Sequence, residues 1–332
     1  VTIDVHGHLS PPESLRRFPM PRSLGDAEGM IEAKLAAGVE LTVIGSPVGA
    51  GAMVPLPGVD NYAQSEDDLA RFHDWTSELV ARYPQRLRAY VYVNPFGGDA
   101  HLAAAARRLD QAEFVGLIAN TSVAGRYLDH PDAKDFFALA AEAAAPVLMH
   151  APAAPAAGTG LADLMAVEQL GRFSDVTIGL ACCILGGWLD HHPDLRLIGQ
   201  GAGGALALLG EKLDRAWSPE HWAGAGPGRP GNGPAGHRTP VLKAPPSSYL
   251  PRLWVDTATP SAAALELALK VFGPDKVLYG SDSPPLPGTA VQEGLQLVGR
   301  LDVAEPQRQA VREDNARKLF GSKLPAAVRA RV

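Results

Sequence analysis

The feature that most restricts what this chain can fold into is a strand-then-helix rhythm, repeated eight times. Apolar runs predict strands at 1–5, 40–45, 88–93, 114–119, 146–149, 195–199, 253–256 and 276–279. Between them, amphipathic stretches predict helices at about 26–37, 61–83, 100–112, 131–144, 161–190 and 261–272, with one more ending near Trp217. Two further helices, about 290–301 and 305–319, end the chain. Parallel strands need a crossover between them, so this alternation is the mark of a parallel sheet. Several runs are continuously apolar, as expected of strands covered on both faces. Eight units favour closure into an α/β (β/α)8 TIM barrel over an open doubly wound sheet, because closure leaves no edges. A chain of 332 residues has room for two domains, but one barrel with insertions fills the same length, and a single domain over 1–332 is expected.

Two segments break the rhythm: a Gly/Pro-rich loop at about 45–60, and a longer one at 218–251. Within the second, 224–236 is almost entirely Gly, Pro and Ala. Both follow strands on the carboxyl-end face, where barrel active sites form. The longer one is expected to be a partly mobile lid, with a tolerated insertion as the alternative.

Composition narrows the function classes. The chain is 46% hydrophobic and 20% charged, enough for a sizeable core. A net charge of −6 with no basic block speaks against nucleic acid and anionic membranes as partners. No apolar run reaches the roughly 18 residues of a membrane-spanning helix. Val1 already begins an apolar strand, so no signal peptide is expected. Cys182 and Cys183 are adjacent in an apolar helical stretch and form no disulfide framework. They are read as buried, inert thiols of a cytoplasmic protein rather than a redox or metal pair.

The chemistry-bearing residues gather at strand ends. His6 and His8 form an H-x-H pair in Asp4-Val5-His6-Gly7-His8, and residues i and i+2 of a strand share a face. Alone, such a pair is weak evidence. His150, however, ends strand five, and Asp282 follows strand eight. In a closed barrel strands one and eight are neighbours and strand five faces them, so all four groups can meet near the axis. Three imidazoles and a carboxylate suit a borderline divalent ion, zinc first and manganese second. Asn120, after strand four, is expected at the mouth, either bonding a substrate or capping the strand end. His73, His101, His130, His191 and His192 are read as helix or loop residues, whereas His221 and His237 of the long loop could reach the mouth.

With these residues in place, the chain resembles the amidohydrolase-related proteins typified by aminocarboxymuconate-semialdehyde, γ-resorcylate and carboxyvanillate decarboxylases. The likeness runs almost end to end. It rests on Asp4-Val5-His6-Gly7-His8, Val115-Gly116-Leu117, Pro146 to His150, His192-Pro193-Asp194-Leu195-Arg196 and Gly280-Ser281-Asp282-Ser283-Pro284. The resemblance implies a barrel, one divalent metal and frequently a homodimer. It also implies a histidine just after strand six that activates metal-bound water. That slot holds Gly201 here, so the space beside the metal is free for ordered water or a substrate group. Gln200 is adjacent, but its amide cannot act as a base. Where the decarboxylase carries an arginine eleven residues later, this chain has Lys212, a cation without the bidentate fork. The expected activity is nonoxidative decarboxylation of a small, aromatic or unsaturated carboxylic acid, with Asp282 as the proton carrier. Metal-dependent hydrolysis of an amide, ester or lactone is the alternative, followed by a metal-templated cyclisation or hydration. A non-catalytic binding protein on the same fold is the reading from outside enzymology, and turnover of any acid would separate it from the others.

Overall fold

The computed structural model describes residues 1–217 and 242–326, with the backbone of 225–226 and 229–230 in addition. Eight strands form one sheet: β1 (Thr2–His8), β2 (Val39–Gly45), β3 (Leu87–Tyr92), β4 (Phe114–Asn120), β5 (Val147–His150), β6 (Leu197–Gly199), β7 (Trp254–Asp256) and β8 (Val277–Leu278). They follow one another in chain order, each pair parallel. The last returns to the first: Val5 N–H donates to Tyr279 O, and Asp282 N–H to His6 O, both at 2.9 Å. The sheet is therefore the barrel that the strand–helix rhythm predicts.

Helices α1 (Ala27–Ala37), α2 (Glu66–Arg82), α3 (Gly98–Leu109), α4 (Lys134–Glu142), α5 (Arg172–Leu185), α6 (Gly210–Trp217), α7 (Ala262–Val271) and α8 (Gly288–Arg300) accompany the strands. Side-chain caps set several of the starts. Asp26 accepts from Gly29 N–H at 2.9 Å, and Ser261 accepts from Ala264 N–H at 3.2 Å. The expectation of a helix from residue 61 fails by five residues. Ser65 caps α2 through Asp68 N–H at 3.1 Å, and the residues before it serve another purpose. Asn61 exchanges two hydrogen bonds with the Ala52 backbone, and Gln64 bonds Ala50 N–H and Val48 O. Those amides tie down the 45–60 loop instead of winding a helix. A short helix, Pro12–Arg17, was not expected; Pro12 opens it, where its missing N–H costs nothing.

The core has two layers. Ile3, Val5, Leu41, Val43, Tyr90, Val115, Leu148, Ile198, Trp254 and Leu278 pack with one another inside the barrel. Alternate strand residues, such as Val91, Leu117, Met149 and Val255, pack outward with the helices. The C-terminal segment covers the amino-end opening. Arg88 and Arg196, at the starts of β3 and β6, donate to Lys323 O and Leu319 O, and Phe320 packs on Tyr90 with centroids 6.1 Å apart. The carboxyl-end opening is left for chemistry. Of the predicted 218–251 insertion, 242–251 is described; it is anchored by Tyr249 on Asp190 and Ser247 on Asp214. The predicted lid at 218–241, including His221 and His237, lies outside the described residues apart from the short backbone pairs given above.

Candidate metal centre

His6 and His8 reach the mouth because β1 is irregular. Ile3 and Val5 point into the barrel, so strict alternation would turn His6 outward. A bulge intervenes: between Asp4 and Gly7, β1 advances three residues while its partner advances two, from Thr42 to Ile44. Beyond it His6 and His8 face inward together. Gly7 faces the wall, where a Cβ would lie 2.8 Å from Thr42 Cγ2 and 3.0 Å from Lys34 Nζ, so only glycine fits. His150 is the last residue of β5. Asp282 follows β8 with φ at 53°, a left-handed backbone that Asp tolerates better than most residues.

The four groups converge. One candidate ligand atom from each of His6, His8, His150 and Asp282 lies within 4.8 Å of all the others. His6 Nε2 is 3.1 Å from His8 Nε2, and Asp282 Oδ1 is 2.9 Å from His8 Nε2 and 3.5 Å from His6 Nε2. His150 Nε2 is buried without a hydrogen-bond partner among the described residues. The opposite ring nitrogens settle the tautomers. His6 Nδ1 donates to Asp256 Oδ2 at 2.7 Å, His8 Nδ1 to Gly45 O at 2.9 Å, and His150 Nδ1 to Ala151 O at 2.7 Å. Two carbonyls and a carboxylate only accept, so each Nδ1 carries a hydrogen and each Nε2 is the nitrogen left to face inward. Three inward Nε2 atoms and a carboxylate gathered at one point are complementary to a cation. The residues fit a divalent metal, held by oriented imidazoles in the usual way.

The electrostatics agree. Burial pulls the His6 imidazole down, but Asp256 and Asp282 outweigh it and raise its pKa to about 9. Burial, with His8 and His6 beside it, holds His150 well below the ordinary histidine value. Burial would lift Asp282, yet the surrounding imidazoles keep its carboxyl well below the usual carboxylate range. Asp282 is the most solvent-reached of the four, its side chain 25% exposed.

The amidohydrolase family profile matches residues 3–322. This chain belongs to the amidohydrolase family. No curated protein sequence matches it. Among solved structures, 5-carboxyvanillate decarboxylase LigW from Sphingomonas paucimobilis is similar, with TM-score 0.74, 19% identity, and 96% of this chain and 98% of that one covered. So is 2,6-dihydroxybenzoate decarboxylase from Rhizobium, with TM-score 0.72, 18% identity, and coverage of 96% and 98%. A dihydroxybenzoic acid decarboxylase from Polaromonas sp. JS666, holding manganese and 2-nitroresorcinol, has TM-score 0.73, 16% identity and 96% coverage of both chains. At these identities the likeness establishes the amidohydrolase-type barrel.

Within this amidohydrolase barrel the remaining expected site residues separate. Gly201 is buried two residues after the end of β6, at φ 59°, and its N–H donates to Asp256 Oδ1 at 2.7 Å. Among the described residues a Cβ there would meet only Ala258 O, at 3.4 Å. Gln200 accepts from Ala151 N–H at 3.0 Å, next in sequence to His150. Both ends of the Asn120 amide are engaged, its oxygen by Tyr62 Oη at 3.1 Å and its nitrogen by His150 O at 3.4 Å. Lys212 is exposed on α6, outside the cluster. Cys182 and Cys183 are unpaired; burial pushes the Cys182 thiol up to about 12 and holds Cys183 well above the ordinary thiol value. No helix among the described residues is long and apolar enough to cross a membrane.

Sequence reasoning missed two carboxylates that hold the ligands. Asp256 ends β7 and is fully buried; besides His6 it accepts from Gly201 N–H and Ala258 N–H. Its place at a strand end was the available signal. Asp4 takes Lys34 Nζ and Ser281 Oγ on one oxygen, and His6 N–H and Ser281 N–H on the other. It thereby locks the end of β1 to the loop that carries Asp282. The bulge hid it, because alternation from Asp4 predicts a shared face with His6.

Proposed function

We propose that this protein is a metal-dependent nonoxidative decarboxylase of a small aromatic or unsaturated carboxylic acid. The convergence of His6, His8, His150 and Asp282 carries the reading. Two further points support it. Similar barrels include decarboxylases of hydroxylated aromatic acids, and Gly201, where the resemblance implies a water-activating histidine, has no side chain. Zinc or manganese, when bound, would supply positive charge that binds the acid and draws electron density as carbon dioxide leaves. His6, His8 and His150 hold that charge, oriented by Asp256, Gly45 and Ala151. Asp282, ionised at rest, takes a proton from solvent water and delivers it to the carbon that keeps the electron pair of the broken carbon–carbon bond, and is ionised again when carbon dioxide has left. The open space at Gly201 admits part of the substrate. A homodimer belongs to the same reading.

Hydrolysis of an amide, ester or lactone is the second reading, favoured by the family itself. Protein loaded with manganese or zinc is mixed with hydroxybenzoic and carboxyvanillic-type acids, and carbon dioxide is measured. Simple esters and lactones are assayed alongside. Carbon dioxide release from at least one acid is expected. Ester or lactone turnover near the ordinary 10⁴ M⁻¹s⁻¹ or so, with no acid decarboxylated, would replace the lyase by a hydrolase.

A further inference from the structure

Asp175 lies in the first turn of α5, the helix that follows β5, and is fully buried. Four donors, none of them a cation, converge on its carboxylate. Thr121 Oγ1 donates to Oδ1, while Ser122 Oγ at 2.9 Å, Tyr127 Oη at 3.2 Å and Ala157 N–H at 3.2 Å donate to Oδ2. Burying a charge is costly, and only a full set of hydrogen bonds makes this position tolerable. These donors come from the loops after β4 and β5, so one side chain of α5 ties both to the helix. Gly179, one turn further on, permits the approach. A Cβ there would lie 2.5 Å from Thr121 Cβ, so glycine lets α5 rest against Thr121 and brings Asp175, on the same face, to its hydroxyl.

Thr121 leads on to the metal centre. Its hydroxyl is committed to Asp175, and its N–H donates to His150 O at 3.0 Å. His150 needs such support more than the other two histidines. His6 and His8 are oriented from other strands, by Asp256 of β7 and by Gly45 O of β2. His150 Nδ1 donates instead to Ala151 O, the next residue of its own chain. Its ring is therefore only as fixed as the backbone at 150–151. Gln200 holds that backbone at Ala151 N–H, and Thr121 holds it at the His150 carbonyl.

We propose that Asp175 is a positioning residue for the metal: by holding Thr121 it fixes the backbone of His150, and with it the Nε2 that faces the other ligands. The inference rests on the metal-binding part of the proposed function and not on carbon dioxide release. Loss of the grip loosens one ligand of four. The metal is then held more weakly and in an altered ligand arrangement, while the barrel persists.

Cobalt(II) is the probe, because its visible absorption bands follow the placement of the ligand atoms and its affinity can be read by chelator competition. Asp175→Ala is expected to weaken cobalt about tenfold, the lower end of the cost of losing a ligand's hydrogen-bonded support, and to change the bands. Thr121→Val keeps the shape and the N–H on His150 O but removes the hydroxyl; it should change the bands in the same sense and weaken cobalt about threefold. It decides the matter if Asp175→Ala does not fold. Asp175→Asn can turn its amide nitrogen to Thr121 Oγ1 and keep its oxygen for the other donors, so it should restore near-native affinity and bands. Ile184→Ala, a buried apolar truncation farther along α5, should lower Tm without moving either readout. The role is overturned if Thr121→Val leaves both affinity and bands unchanged, if Ile184→Ala shifts them as much, or if Asp175→Asn is as weak as Asp175→Ala. Wild type that binds no cobalt would remove the metal centre and this role together. Wild type that binds cobalt but releases no carbon dioxide from any acid would end the lyase reading and leave the role standing.

Discussion

Each imidazole of the centre has one nitrogen committed to an acceptor, and the residues doing the accepting come from different elements. Asp256 is the only charged one of the three acceptors, and His6 is the one imidazole it accepts from. Replacing it by Asn keeps the shape but weakens the orientation and basicity of that ligand. Asp256→Asn is expected to lower metal affinity about 10- to 100-fold, read by competition with a chelating dye. Asp282→Asn tests the next step. The amide is nearly isosteric but cannot carry a proton, so turnover should fall about 100- to 10,000-fold with the fold intact by circular dichroism. Near-native kcat would reduce Asp282 to a ligand. These two carboxylates were not equally legible. Asp282 stood out in the sequence because it completed a ligand set with three histidines. Asp256 has the same strand-end address, but a lone carboxylate there reads as an ordinary polar terminus.

The strands were readable because an apolar run between breakers survives tertiary packing, and the ligand histidines were readable because they end such runs. What sequence periodicity could not show was the bulge in β1, since one extra residue leaves the apolar pattern nearly unchanged while reversing every later side chain. The start of α2 was misplaced for a similar reason: Asn61 and Gln64 satisfy helical patterning but are used on a loop. The same helix holds a testable feature. His73 sits on the buried face of α2 and accepts from Tyr92 N–H of β3 at 3.0 Å, which requires a neutral ring. Burial first, then Arg108 and His101, lower its pKa to about 3. Unfolded, the ring titrates near 6.5. The folded pKa is the lower one, so the associated stability is complete above about pH 6.5 and is lost as pH falls toward 3, by an upper limit of roughly 4–5 kcal/mol. His73→Gln keeps an acceptor and removes the titration. Urea unfolding at pH 7, 5 and 4 should show wild type losing stability more steeply than the variant; parallel losses would mean that His73 is not held neutral.

At the scale of the whole molecule, one end of the barrel is closed by the C-terminal segment and the other gathers every charge the centre uses. The seam between β1 and the loop after β8 is its weakest element by backbone pairing, and Asp4, His6 and Asp282 all lie along it. A metal bound by His6, His8, His150 and Asp282 would therefore cross-link β1, β5 and the β8 loop, and act on global stability. A ligand at 100 times its Kd stabilises a fold by about 2.7 kcal/mol. In a chain longer than the 200 or so residues for which about 2–4 °C per kcal/mol holds, a rise in Tm of roughly 5 °C is expected on loading. The rise should depend on pH in a stated direction. In the metal-free protein Asp256 and Asp282 raise the His6 pKa to about 9, so His6 binds a proton at neutral pH that the metal has to displace. Binding then releases that proton, and apparent affinity grows by up to about tenfold per pH unit below that pKa. Melting chelator-treated and manganese-loaded samples at pH 6, 7 and 8 should show a gap that widens with pH. In Asp256→Asn, which removes the largest charge raising the His6 pKa, the gap should be smaller and its pH dependence flatter. Equal melting of the two samples at every pH would show that the convergence of these four side chains is not a metal centre.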